Sequence, residues 1–115
     1  YLSFFVSCSD QDNKVNYALS ELIGEYELQN STSEDYVKCK DSPVIFEITE
    51  NELSLPLIHT ESGCQFGTTI WKHEYADNKF SIEFGRYTVK NFDGNTLIWK
   101  YSFLGFSYEE TLRKM

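Results

Sequence analysis

The stretch from Lys79 to Leu112 reads KFSIEFGRYTVKNFDGNTLIWKYSFLGFSYEETL, and apolar and polar side chains alternate along most of it. One face of its first half carries Phe80, Ile82 and Phe84, and one face of its second half carries Leu97, Trp99, Tyr101 and Phe103. A period of two residues is typical of a strand with one buried face. The Asp93-Gly94 pair between the two halves favours a tight hairpin turn. This third of the chain is therefore predicted to be an antiparallel meander.

The same alternation continues towards the N-terminus and divides the chain into eight segments joined by short connections. The predicted strands are Leu22–Asn30, Val44–Thr49, Glu52–Ile58, Gln65–Tyr75, Lys79–Gly85, Arg86–Phe92, Thr96–Leu104 and Phe106–Arg113. Short connections favour antiparallel pairing of sequential strands. Eight such strands close into a barrel that side chains can fill or that can hold one small ligand. The predicted fold is all-β, an antiparallel meander that closes into an up-and-down β-barrel, with a short helical turn before Gly24.

Composition and charge exclude several classes of function. The chain has 115 residues, which suits one domain. Ten basic and 18 acidic residues give a net charge of −8. This balance argues against nucleic acid and against anionic membrane surfaces as partners. No apolar run of about 18 residues is present, so no transmembrane helix is predicted.

The first residues carry a pattern known from secreted proteins. The apolar run YLSFFV is followed by Ser7, Cys8 and the polar stretch SDQDNK. This arrangement resembles the end of a bacterial lipoprotein signal peptide followed by the acidic tether of many surface-exposed lipoproteins of the Bacteroidetes. The resemblance implies lipidation at Cys8, attachment to the membrane by a lipid anchor, and location in the cell envelope. Residues 1–20 are then a signal remnant and flexible tether, and residues 21–115 a single β-barrel domain.

Two other interpretations of the first residues stay open. Leu2 to Val6 can form an edge strand with Cys8 as a buried thiol, or the run can belong to a conventional secretory signal.

The segment Leu22-Ile23-Gly24-Glu25-Tyr26-Glu27-Leu28 resembles the opening of lipocalin-like domains. In that family a helical turn leads into a first strand that carries glycine, any residue and tryptophan. Gly24 matches the glycine, and Tyr26 stands where the tryptophan would be. The resemblance implies a barrel that binds a small apolar molecule, with Tyr26 closing the bottom of the cavity.

Three cysteines are present, and lipidation of Cys8 leaves Cys39 and Cys64. An oxidising compartment would pair these two in a disulfide. A bridge at the start of the barrel, in the loops flanking strands two and three, also resembles small bacterial lipocalin-like lipoproteins. The rival interpretation is a metal site built from Cys39, Cys64, His59 and His73. Zinc ligands usually come in pairs two to four residues apart, and no two of these residues lie that close. No metal and no cofactor is therefore predicted.

The sequence contains no catalytic motif, so the protein is not predicted to be an enzyme. His73 is expected to be a half-exposed strand residue, and Glu109 and Glu110 a solvated pair.

The barrel interior offers the remaining candidate site. The side chains predicted to line an apolar cavity are Tyr26, Phe46, Trp71, Phe84, Trp99 and Tyr101. A solid core is equally compatible with so many aromatic residues, since Phe80 and Phe103 can help to fill the barrel. The first hypothesis is a binding protein for a small hydrophobic ligand. The alternative is a protein–protein module of the envelope, such as an inhibitor or immunity protein, whose acidic surface binds a basic partner.

Overall fold

The computed structural model describes residues 15–32, 43–59 and 65–115, which form one short helix and nine strands. The helix, α1, spans Leu19–Leu22. The strands are β1 (Gly24–Ser31), β2 (Ile45–Ile48), β3 (Glu52–His59), β4 (Gln65–Lys72), β5 (Glu74–Ala76), β6 (Lys79–Ile82), β7 (Gly85–Phe92), β8 (Thr96–Phe103) and β9 (Phe106–Lys114). The predicted all-β fold is confirmed, and every predicted segment overlaps one or two of these strands.

The strands form one antiparallel sheet in the order β4-β3-β2-β1-β9-β8-β7-β6-β5. The first and last strands pair, and Leu112 of β9 lies opposite Leu28 of β1. The two edge strands, β4 and β5, are joined by His73 alone. One continuous stretch of chain therefore supplies both edges, and the sheet curls into a nearly closed up-and-down barrel. The line between β4 and β6, where no described strand pairs with the outer edge of β4, is called the seam below.

The number of strands differs from the prediction because the chain bends at His73. The backbone N–H of His73 donates to the Asn51 carbonyl oxygen at 2.9 Å, and its ring Nε2 lies 3.0 Å from the Thr49 carbonyl oxygen. These bonds hold the corner between β4, which pairs with β3, and β5, which pairs with β6. The alternation of side chains continues through this corner, which is why the sequence predicts a single strand, Gln65–Tyr75. The structure divides this segment into β4 and β5.

A tight turn joins β5 to β6 and anchors the chain that precedes the helix. Asp77 and Asn78 have φ of 53° and 64°, as a type I′ hairpin turn requires. The buried Asn78 side chain donates from Nδ2 to the Val15 carbonyl oxygen at 2.6 Å and accepts the Tyr17 backbone N–H at 2.8 Å. This side chain therefore fixes residues 15–17 against the barrel.

The helix covers one end of the barrel. The Tyr26 hydroxyl donates to the Leu22 carbonyl oxygen at 2.7 Å, and Lys114 Nζ donates to the Glu21 carbonyl oxygen at 3.2 Å. The last residue of the helix, Leu22, has no exposed surface and belongs to the same core cluster as Leu97 and Leu112, which are also fully buried. We call this the closed end. The opposite end, which includes the turns at residues 83–84 and 104–105, is the mouth.

Candidate ligand-binding site

An apolar pocket of about 410 Å³ lies at the mouth of the barrel and is called the mouth pocket below. Strands β2, β3, β4, β6, β7, β8 and β9 and the β6–β7 turn supply its walls. The lining residues are Phe46, Leu55, Pro56, Thr69, Trp71, Ile82, Phe84, Tyr87, Tyr101, Phe106 and Tyr108. Small-molecule sites typically measure about 300–1,000 Å³ and are mostly apolar, so size and lining suit a small apolar ligand.

Aromatic rings brace the wall of the mouth pocket. The ring centroids of Trp71 and Phe84 lie 5.4 Å apart across the seam, with their planes at 85°. The Tyr101 ring lies 5.0 Å from the Tyr87 ring and 5.2 Å from the Tyr108 ring. Such pairs contribute about 0.5–1.5 kcal/mol each beyond the area they bury. The rings therefore hold the shape of the pocket through contacts with one another.

The β6–β7 turn holds Tyr101 in place. The Tyr101 hydroxyl donates to the Phe84 carbonyl oxygen, and burial raises the pKa of this hydroxyl above its ordinary value. A raised pKa keeps the hydroxyl protonated, as a hydrogen-bond donor must be. The ring fits here because Gly85 has no side chain. A Cβ at Gly85 would lie 2.6 Å from Tyr101 Cε1, and the φ of +126° also favours glycine.

Trp99 lies in the packed core and contacts two residues that line the mouth pocket. Its side chain has no exposed surface, and its ring lies 4.3 Å from Tyr87 and 6.0 Å from Phe46. Its Nε1 donates to Oε1 of Glu110 at 2.8 Å. The barrel thus contains both of the expected interiors, with a pocket at the mouth and a solid apolar core towards the closed end.

Four of the six side chains predicted to line a cavity belong to the mouth pocket, namely Phe46, Trp71, Phe84 and Tyr101. The other two do not line it. Tyr26 is buried at the closed end, as its bond to Leu22 shows, and Trp99 lies in the core. Phe84 reaches the pocket from a turn and not from a strand, because β6 already ends at Ile82.

Sequence reasoning missed part of the aromatic wall, above all Tyr87 and Tyr108. Both lie in one row with Tyr101, since Tyr101 pairs with Tyr87 on one side and with Tyr108 on the other. The signal was present in the sequence. Tyr101 and Tyr108 stand at equal distances from the Leu104-Gly105 turn, and a tight hairpin there places them opposite each other.

Two polar residues lie in surroundings that differ from the expectation. Glu110 is only 1% exposed and not solvated, because β9 turns this position inward towards Trp99, whereas Glu109 is exposed as predicted. His73 is 9% exposed and not half-exposed, because it occupies the corner between β4 and β5 and packs its ring 4.9 Å from Phe80.

A second, more polar cleft of about 960 Å³ runs along the seam and is called the seam cleft below. Glutamates dominate its charged groups. The lining residues are Thr49, Glu50, Asn51, Glu52, Lys72, His73, Glu74, Ser81, Ile82 and Glu83. Four carboxylates against one ammonium group give the cleft a negative character, which suits a cationic partner.

The predicted lipidation of Cys8 and the predicted disulfide between Cys39 and Cys64 concern residues outside the described ranges. Within the described ranges, no three His, Cys, Asp or Glu side chains are grouped so that they could hold a metal ion. The described part of the chain also contains no helix that is long and apolar enough to cross a lipid bilayer.

A comparison with models of protein families and a comparison with curated proteins each find no match to this chain.

Proposed function

We propose that the protein is a binding protein, without catalytic activity, that holds a small hydrophobic ligand in the mouth pocket. The observation that carries the proposal is the aromatic wall around about 410 Å³ at the open end of the barrel. A ligand in this pocket is removed from water and packs against rings that are already held in position. Preorganisation of this kind lowers the entropic cost of binding.

The proposal includes a location in the cell envelope. The resemblance of the first residues to a lipoprotein signal supports lipidation at Cys8, and a lipid anchor would hold the barrel at a membrane. An oxidising envelope compartment supports a disulfide between Cys39 and Cys64. Mass spectrometry of the purified protein, before and after reduction, tests both modifications.

Calorimetric titration with decanol tests the ligand-binding proposal. Decanol is small and uncharged, so it probes the apolar pocket alone. We expect saturable binding to one site. Trp71→Ala removes one wall of the mouth pocket, and we expect the affinity for decanol to fall about tenfold, which corresponds to about 1.4 kcal/mol.

The matched control for this titration is Ile70→Ala. Ile70 is the neighbour of Trp71 on β4, but it points outward and is 60% exposed. We expect Ile70→Ala to bind decanol like the unchanged protein. Absence of saturable binding to the unchanged protein, or equal losses in the two variants, would contradict the proposal.

The seam cleft favours a second candidate function, a protein–protein module that binds a basic partner. Its four glutamates lie together on a chain with a net charge of −8. Charge of this kind steers a basic protein to its site and makes the association sensitive to salt.

Pairs of charge-neutralising variants test this second function. A basic partner bound at the seam cleft should be retained in low salt, lost in high salt and lost from a Glu74→Gln/Glu83→Gln variant. It should still bind a Glu25→Gln/Glu47→Gln variant, whose two residues are exposed and lie opposite each other on β1 and β2. If the protein purifies alone at every salt concentration, with no basic partner bound, this function is contradicted.

A further inference from the structure

A groove of about 530 Å³ on the outer face of the barrel adjoins the mouth pocket, and we call it the outer groove. It lies across β6, β7, β8 and β9. Ile82 and Phe106 line both the outer groove and the mouth pocket. Because Phe106 is 62% exposed at the rim, a molecule in the pocket can continue past this side chain into the groove.

The outer groove is polar and cationic where the mouth pocket is apolar. Arg86 and Lys100 line it together with the hydroxyls of Ser81, Ser102 and Ser107. The sheet aligns these groups, since Ser81, Arg86, Ser102 and Ser107 are successive partners in one row across four strands.

The two cations are close enough to act on one anionic group. Arg86 lies opposite Ser102, and Lys100 is two residues before Ser102 on the same strand. Arg86 and Lys100 are therefore diagonal neighbours, a relation with a spacing of about 7–8 Å. Both side chains are long and exposed, so their charged ends can converge on a head group between them.

The charge of the outer groove is opposite to that of the whole chain. No acidic side chain among the described residues lines the groove. The ion pair found within the described part of the chain joins Arg113 to Glu27, and neither Arg86 nor Lys100 forms one there. Glu109 lies opposite Lys100 in the ladder without pairing with it. The two cations are thus available to an anion from outside.

We propose that the ligand is an amphiphile with an anionic head group. Its apolar part occupies the mouth pocket, and its head group binds Arg86 and Lys100 in the outer groove. Hydrogen bonds between charged partners are stronger than neutral ones, and a guanidinium can bind a carboxylate or phosphate through two parallel bonds. This inference rests on the proposed function, because the apolar part of the ligand needs the mouth pocket.

The test compares decanoate with decanol, which differ in the head group alone. The net charge of −8 repels anions, so a protein without a head-group site should bind decanol more tightly than decanoate. With the site, we expect decanoate to bind about tenfold more tightly than decanol at low salt. The preference should shrink as salt screens the two cations.

The variant Arg86→Gln/Lys100→Gln should reverse this preference. Its matched control is Lys90→Gln/Arg113→Gln, which removes the same two charges from positions outside the outer groove and should keep the preference. Equal affinities for the two ligands in the unchanged protein, or the same loss of preference in both double variants, would overturn the inference while the proposed function stands. Binding of neither ligand would overturn both.

Discussion

Trp99 and Glu110 form a buried polar contact within the packed core of the barrel. The indole N–H and the carboxylate lie 2.8 Å apart, and both side chains are almost entirely buried. A buried donor that loses its acceptor costs about 1–3 kcal/mol, and the cavity left by a smaller side chain adds to that loss.

Removal of the Glu110 carboxylate should therefore destabilise the protein strongly. We expect Glu110→Ala to lower the free energy of unfolding by about 3 kcal/mol, measured by urea denaturation. Glu110→Gln keeps an acceptor oxygen and should lose less. The control Glu109→Ala changes an exposed neighbour and should stay within about 0.5 kcal/mol of the unchanged protein. Equal losses for the two alanine variants would refute this role of Glu110.

Tyr26 should make the protein sensitive to alkali. Burial raises the pKa of its hydroxyl from 10.0 to about 12. Below pH 10 this tyrosine is neutral in the folded and the unfolded chain, so its contribution to stability is complete. As the pH rises from 10 to 12, the unfolded chain ionises first, and the folded state loses about 2 kcal/mol relative to it.

The variant Tyr26→Phe tests this pH dependence. It cannot ionise, so its stability should fall less steeply between pH 10 and 12 than that of the unchanged protein. At neutral pH it should be about 1 kcal/mol less stable, because the Leu22 carbonyl oxygen loses its donor. Chemical denaturation at a series of pH values measures both effects. Identical slopes in the two proteins would count against a buried, neutral Tyr26.

At the scale of the element, the β6–β7 turn shapes the mouth pocket through Gly85. We expect Gly85→Ala to lose about 1–3 kcal/mol of stability from backbone strain and to bind decanol more weakly, since the new methyl group displaces the Tyr101 ring. Gly94→Ala is the matched control. Gly94 also has positive φ, 100°, but nothing lies within 4 Å of the position of its Cβ. It should lose stability without losing affinity, and weaker binding in both variants would contradict the role of Gly85.

Strand patterns in the sequence predict most elements. They fail where contacts with residues distant in the sequence determine where a strand ends. Thr96–Phe103 carries regular alternation, and the structure buries Leu97 and Trp99 as expected. At His73 the alternation is equally regular, yet the strand breaks because Thr49 and Asn51 bind this residue from another turn. Pairing of this kind is invisible in a local pattern.

The candidate site is predictable only where a local pattern decides which side chains face inward. Inward residues on clear strands, such as Phe46 and Trp71, follow from alternation alone. Tyr108 follows from the hairpin at Leu104-Gly105, which places it opposite Tyr101. Tyr87 depends on a register that shifts by one residue between Val89 and Asn91, and a local pattern does not give such a shift. The prediction of a solvated Glu110 is wrong because a carboxylate is ordinarily exposed, whereas this position lies on the inward face of β9.

At the scale of the whole molecule, the barrel divides into a stabilising half and a binding half. The helix, Tyr26 and the core around Leu97 close one end. The aromatic pocket and the cationic outer groove lie together at the other end. Variants at the closed end should therefore change stability without changing affinity, whereas those that alter the mouth pocket should change affinity, with or without a loss of stability.

The two tryptophans allow the central claim, that the mouth pocket binds an apolar ligand, to be tested in one measurement. Trp71 lines the pocket, and the Trp99 indole N–H is bonded to Glu110 in the core. Nuclear magnetic resonance of the two indole N–H groups during titration with decanol, assigned with Trp71→Phe, separates them. We predict a saturable shift of the Trp71 signal and a much smaller one for Trp99. A Trp71 signal that stays in place at saturating decanol would contradict the claim.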